Sequence, residues 1–369
     1  MSNLRTPGPI PVPDDILENM SRQMINHRGP EFKDILYRTT EGVKRVFETK
    51  NDVFIMTSSG TGAMEAAVVN TLSPGDKVVN VSVGVFGARF GEIASVFGAD
   101  VVHLDFPYGT IVDPDKLKDL LNDQPDIKAV LVTHNETSTG VTNDLQAITA
   151  VAKTEFGKLV LVDGISSVCS IPLSTDAWGC DVVATASQKG WMLPPGLAFI
   201  SFSEDAWKAH AEAKMPRFYF DMSAYKHYFE IGQPPYTPAI SVMFALDLAL
   251  QKIEAEGMGS VFERHAGIGQ MTRDGVKKLG LSLFPQHESF ASNTVTAITV
   301  PEGVEASKLL GILRAEHDVV LSGGQQSLNG KIFRIGHLGY TTSDEIQEVL
   351  DALAVALPKV GFSPSRVEA

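Results

Sequence analysis

Cysteine is almost missing from this sequence. Only Cys169 and Cys180 are present, too few for a disulfide framework and without the paired spacing of a zinc site. A reduced, cytoplasmic setting is therefore expected. Positive charge is also in deficit: 31 Lys and Arg face 44 Asp and Glu, a formal net charge of −13. Binding to nucleic acid or to an anionic membrane needs a basic face, so neither partner is expected. The opening residues MSNLRTPGPIPVP hold no apolar run of signal-peptide length, and no uncharged stretch is long enough to span a bilayer. Repeats and low-complexity tracts are absent. The histidines, His103 and His134 among them, show no metal-ligand pairing and read as structural, so no metal is expected.

What is present is an ordinary globular composition, 44% hydrophobic and 20% charged. At 369 residues the chain exceeds the size at which one core usually stops growing, which points to two domains. Residues 1–13 carry Pro7, Pro9, Pro11 and Pro13. Proline fixes φ and removes a donor, so this is an extended arm that must lie on its own domain or on a partner subunit. From Asp14 the pattern turns helical, with Asp14 or Asp15 as N-cap.

Short β-branched runs follow at 52–56, 77–81, 100–104, 128–132, 158–162, 181–184 and 197–202, mostly separated by stretches with helical spacing. Such runs, lacking polar alternation, suit strands buried on both faces of a parallel sheet. The expected fold class is α/β, a mainly parallel doubly wound sheet in a large domain, 14–255. Helical patterns at 239–255 and 260–279 lead into mixed short elements, read as a smaller C-terminal α+β domain, 256–369.

In open parallel sheets, ligands sit beyond the carboxyl ends of the strands. After the first run comes a Gly/Ser/Thr turn, Ser59, Gly60 and Thr61, opening a helix. It is either a phosphate cradle or a common capped turn. Dinucleotide binding is a weaker reading, because the third glycine of that fingerprint is missing. Asp163 ends another run, as a turn former or as the partner of a cationic heterocycle. Lys189 follows the next run. Phe86 follows the run at 77–81, as a flat surface for a ring or as core packing. An amine, a carboxylate, phosphate donors and a flat surface are together what pyridoxal phosphate requires.

These residues resemble the class V aminotransferases of fold type I, in particular the alanine–glyoxylate and serine–glyoxylate or serine–pyruvate group. The likeness runs through TPGP at 6–9, HRGPEF at 27–32, SSGTGAMEA at 58–66, THNETSTGV at 133–141, LVDGISS at 161–167, SQKG at 187–190, YTPAIS at 236–241 and FRIGHLG at 333–339. The resemblance implies that Lys189 forms the Schiff base and shuttles the α-proton. It gives Asp163 the pyridinium nitrogen, Ser59, Gly60, Thr61 and Gln188 the phosphate, and Thr137 the ring oxygen. Phe86 stands where the family often has tryptophan. Tyr236 and Thr237 would reach the phosphate of the other subunit's cofactor in a homodimer. Arg334 would clamp the substrate α-carboxylate, a task suited to guanidinium geometry; otherwise it is a domain-interface salt bridge.

The implied function is amino transfer by a ping-pong route from alanine or serine to glyoxylate or pyruvate. Alternatives on the same fold are another donor (pyridoxamine, ureidoglycine or aspartate), a lyase or desulfurase, or a non-enzymatic relative. Desulfuration is disfavoured, since Gln188 and not histidine precedes the lysine and both cysteines come before it. For a diacid, Arg28 and Arg217 are the available basic residues, each otherwise a surface or turn residue.

Overall fold

The β-branched runs become strands, and the polar helical stretches between them cover the sheet. In a computed structural model, residues 2–362 are described; the last part of the 256–369 segment, from 363, lies outside the described residues. The large sheet has the order Asp52–Ser58, Gly196–Phe202, Val182–Ala186, Leu159–Asp163, Ala129–Thr133, Lys77–Ser82, Asp100–Asp105. Neighbours run parallel except Gly196–Phe202, which is antiparallel to both of its partners. The three central strands Ala129–Thr133, Leu159–Asp163 and Val182–Ala186 are buried along their whole length, which is why they read as unbroken apolar runs. Alternate residues feed two cores on opposite faces, Val130 and Val132 on one, Ala129 and Leu131 on the other.

From Lys77–Ser82 the chain steps outward to Asp100–Asp105 and then returns on the far side at Ala129–Thr133. That reversal opens a crevice beyond the carboxyl ends of these strands. A second, antiparallel sheet joins Val295–Thr299, Ile332–Gly336 and Ser322–Gly323. The helices Met258–Lys278, Ala306–His317 and Ser343–Lys359 pack on it, around Leu309, Phe333 and Leu353. The molecule is thus an α/β protein with one large, mainly parallel sheet and a smaller mixed unit.

The N-terminal arm lies on its own chain. Asn3–Leu4 pairs in parallel with Val319–Val320, and Gly336 N–H donates to Arg5 O at 2.7 Å. Buried Arg5 donates to Thr341 Oγ1 at 2.8 Å and pairs with Glu345. One sequence expectation is corrected here. Neither Asp14 nor Asp15 is the N-cap: the helix Asp14–Met20 begins at Asp14, with Pro13 in the cap position and no side-chain cap bond. Proline's fixed φ starts the helix without a capping side chain, and both aspartates fall in the first turn, where the helix dipole favours them. Among the described residues no helix is long and apolar enough to cross a membrane, and no group of three or more His, Cys, Asp or Glu could hold a metal.

Candidate active site

Loops leaving the carboxyl edge of the large sheet meet in one cavity, lined by Ser59, Gly60, Thr61, Phe86, Thr137, Asp163, Gln188 and Lys189 among others. These residues span 130 positions of sequence, and parallel strand ends bring them together.

The helix Gly60–Thr71 opens at the cavity. Ser59 holds the cap position in extended backbone and makes no side-chain cap bond. The first-turn N–H groups, at the positive end of the helix, are thereby left for an anion. Beside them, the buried Gln188 Oε1 has no hydrogen-bond partner. That oxygen can only accept a hydrogen bond; the amide's other half, Nε2, is the donor an anion would use.

Asp163 ends its strand and is 4% exposed. Its Oδ1 accepts from Ile165 N at 2.9 Å and its Oδ2 from Thr133 Oγ1 at 3.2 Å. Burial pushes its carboxyl up to about 6, Glu136 adds to the rise, and the two donors and Lys189 oppose it. A buried carboxyl held this high is stabilised as the anion by a cation placed in the cavity. The ring nitrogen of pyridoxal phosphate is such a group, and the donor set around it fits the cofactor.

Lys189 lies in the loop between Val182–Ala186 and Gly196–Phe202. Its Nζ donates to Pro7 O at 2.5 Å. Burial pulls the amine down to about 8, Asp163 acts in the opposite sense, and Arg334 adds to the fall. The arm passes directly over this amine. Gly8 has φ +126°, and a Cβ there would stand 2.6 Å from Nζ. Only glycine takes that backbone without strain and leaves room for the lysine.

Phe86 is half-buried in the first turn of the helix Val85–Val96. The Arg89 guanidinium lies over its ring, 5.0 Å from the centroid. Arg334, 4% exposed, sits on Ile332–Gly336. It donates from Nε and Nη2 to Gly323 O at 3.1 and 2.8 Å, and from Nη1 to Thr137 O at 2.9 Å. No carboxylate is within ion-pair range of it among the described residues, so the salt-bridge reading does not describe it. Three of its five N–H groups are used, which leaves one on each Nη for a carboxylate.

Tyr236 and Thr237 are not brought to the cavity within one chain. Tyr236 donates to Phe218 O at 2.9 Å and stacks on Tyr219 at 4.8 Å between centroids; Thr237 is exposed. Arg28 and Arg217 are also elsewhere. Arg28 bonds Gln233 at 2.7 Å, and Arg217 is bound to backbone carbonyls of Val69 and Ala213. Besides Lys189, the basic residue in the cavity wall is Arg89, with no hydrogen bond or ion pair among the described residues. Sequence reading passed over it, along with Pro7, Gly8, Asn135, Glu136 and Ser166. TPGP and THNETSTGV did mark most of those segments, but nothing local tells which atom of a motif faces the cavity. Both cysteines are buried, with burial pushing Cys169 up to about 12 and Cys180 upward too, so neither is a ready thiolate.

The model of the family "Aminotransferase class-V" matches residues 14–349. The chain is 42% identical to the small subunit of a soluble hydrogenase from Synechococcus sp., over 98% of this chain and 94% of that one. It is 38% identical to L-aspartate–glyoxylate aminotransferase of Paracoccus denitrificans, over 91% and 86%. Its fold is similar to the crystal structure of alanine–glyoxylate aminotransferase from Nostoc sp., with TM-score 0.93, 29% identity, and 96% and 95% of the two chains covered. A family match over nine-tenths of the length settles the family: the chain belongs to the class V aminotransferases.

Proposed function

We propose that this transaminase moves an amino group from alanine or serine to glyoxylate or pyruvate, with pyridoxal phosphate carried on Lys189. One observation carries the reading: an amine near neutrality at Lys189, the buried Asp163 and the open first turn of Gly60–Thr71 border one cavity, with Arg334 joined to it through Thr137. The cofactor, when bound, supplies an electron sink for charge developing at the amino acid's α-carbon. Asp163 would hold a proton on the ring nitrogen. Ser59, Gly60, Thr61 and Gln188 would hold the phosphate. Thr137 would serve the ring oxygen, and Phe86 would offer a flat surface to the ring. Arg334 takes the α-carboxylate on its two free N–H groups and so orients the α-hydrogen. Once the substrate's amino group has displaced it from the cofactor, Lys189 Nζ would be a free amine able to take that proton and return it. Tyr236 and Thr237 complete the phosphate site of a second subunit in a cytoplasmic homodimer. The unit 14–255 then supplies the cofactor's anchors, and the unit from 256 onward supplies the carboxylate clamp.

Glyoxylate as acceptor draws support from the two relatives named as glyoxylate aminotransferases. A half-reaction screen tests the whole reading. The purified protein is loaded with pyridoxal phosphate, and each amino acid is added in turn while the visible band is followed. Loss of the band with alanine or serine, and its return with glyoxylate, is the expected result. A protein that takes up no cofactor sinks the proposal.

A second reading has its own observation. Arg89 lines the cavity without an anionic partner, as a site for the distal carboxylate of a diacid such as aspartate would require. In the same screen, aspartate bleaching the band faster than alanine, and losing that lead in Arg89→Ala, selects this donor.

A further inference from the structure

Glu136 is a fully buried carboxylate without a cation bound to it, at the strand reversal where the cavity opens. Such a group is costly to bury unless donors surround it. Here four do. Oε2 accepts from Phe86 N at 3.0 Å and Gly87 N at 2.9 Å, and Oε1 accepts from Ser138 N at 3.0 Å and Ser138 Oγ at 2.6 Å. Ser138 Oγ in turn accepts from Val85 N at 3.0 Å. The first three N–H groups of the helix Val85–Val96 are therefore satisfied from a loop 50 residues away. The residue at the helix's own cap position, Gly84, has no side chain to do it. A Cβ at Gly84 would come within 2.5 Å of Glu136 Cδ, so the close approach itself excludes a local cap. The residue after Glu136 is Thr137, whose carbonyl holds Arg334. One carboxylate thus joins the turn that carries Phe86 to the loop that carries Thr137 and, through it, Arg334.

We infer that Glu136 is a positioning residue, which holds the Phe86 ring and the Thr137–Arg334 pair in one fixed arrangement around the cavity. This rests on the transaminase reading above for its consequence in turnover, but the coupling itself is a property of the protein alone. Simple helix capping by Glu136 would steady only the Phe86 turn. Positioning ties the Arg334 strand to the same carboxylate.

The test uses full-length protein with Glu136→Gln and Glu136→Ala. Amide hydrogen exchange is measured without cofactor over the peptides covering 84–90 and 332–336, and KM and kcat are measured after loading. In Glu136→Ala, exchange is expected to quicken about tenfold or more in both peptides together. Glu136→Gln keeps an acceptor for Phe86 and Gly87 but loses the one shared by Ser138 N and Ser138 Oγ, and should show a smaller change of the same pattern. In the loaded enzyme, KM for the amino donor rises about tenfold in Glu136→Ala while kcat falls less, and visible circular dichroism of the bound cofactor weakens. Quickened exchange at 84–90 alone, with KM and the dichroism unchanged, overturns the inference and leaves a helix cap. If Glu136→Ala does not fold, Glu136→Gln carries the same measurements. If wild-type protein takes up no cofactor, the function proposal falls, and the exchange data still decide the role of Glu136.

Discussion

Lys189 is held between two opposed effects. Burial favours its neutral amine, and Asp163 favours its ammonium form. The amine settles near 8, so at neutral pH a usable fraction is neutral and nucleophilic. Attachment of pyridoxal phosphate needs that neutral form. The attachment rate of cofactor-free protein should therefore rise with pH through a midpoint near 8. Asp163→Asn removes a charge that raises the lysine, so its midpoint should move to lower pH; stopped-flow absorbance across a pH series checks both. Lys189→Ala should abolish the visible band and reduce transamination by at least about a hundredfold, measured by coupled assay on loaded protein. Gly8→Ala introduces a Cβ 2.6 Å from Nζ at φ +126°. Slower cofactor attachment with little change in secondary structure is the expected outcome, read by absorbance and far-ultraviolet circular dichroism. Of these residues, Lys189 and Asp163 were legible in the sequence because Asp163 ends an apolar run and Lys189 stands in the turn just beyond one. Pro7 was not, since its carbonyl meets the lysine across 182 positions.

Among the elements, strands were the more legible. The run at 77–81 became Lys77–Ser82, and the run at 197–202 became Gly196–Phe202, because burial on both faces leaves a contiguous apolar record. Helix starts were harder. Asp14 and Asp15 have the chemistry of caps and occupy the first turn instead. The helix Val85–Val96 begins after a glycine and takes its acceptors from Glu136 and Ser138. Where the cap is local, neighbouring side chains supply it: Thr342 and Glu345 form a reciprocal capping box at the start of Ser343–Lys359. Thr342→Ala should cost about 1 kcal/mol of stability with kcat unchanged, by urea unfolding and steady-state assay. That helix also anchors the arm, because Glu345 pairs with Arg5.

For the whole molecule, the sharpest expectation concerns a second subunit. Tyr236 and Thr237 lie outside the cavity of their own chain, so the proposed phosphate contact has to be made in a homodimer. Lys189→Ala and Thr237→Ala proteins mixed under subunit exchange should give hybrids in which one site carries both defects and the other neither. Activity recovered above that of either variant alone is the expected result. If each site is complete within one chain, the mixture shows no gain.

The sequence by itself determined the alternation of buried strands and covering helices, and it marked the strand-end residues Lys189, Asp163 and the turn at Gly60. Those signals are local, written in hydrophobic period and in residue type at the end of a run. Tertiary structure alone decided which of these groups share a cavity, that the arm's Pro7 carbonyl meets the amine, and that Arg89 faces the cavity while Arg28 and Arg217 do not. It also decided that Glu136 accepts from two backbone N–H groups of a helix 50 residues earlier. The physical reason is the same in each case. Hydrogen bonding and desolvation depend on neighbours brought together by sheet order, and strand order in a parallel sheet is not the order of the chain.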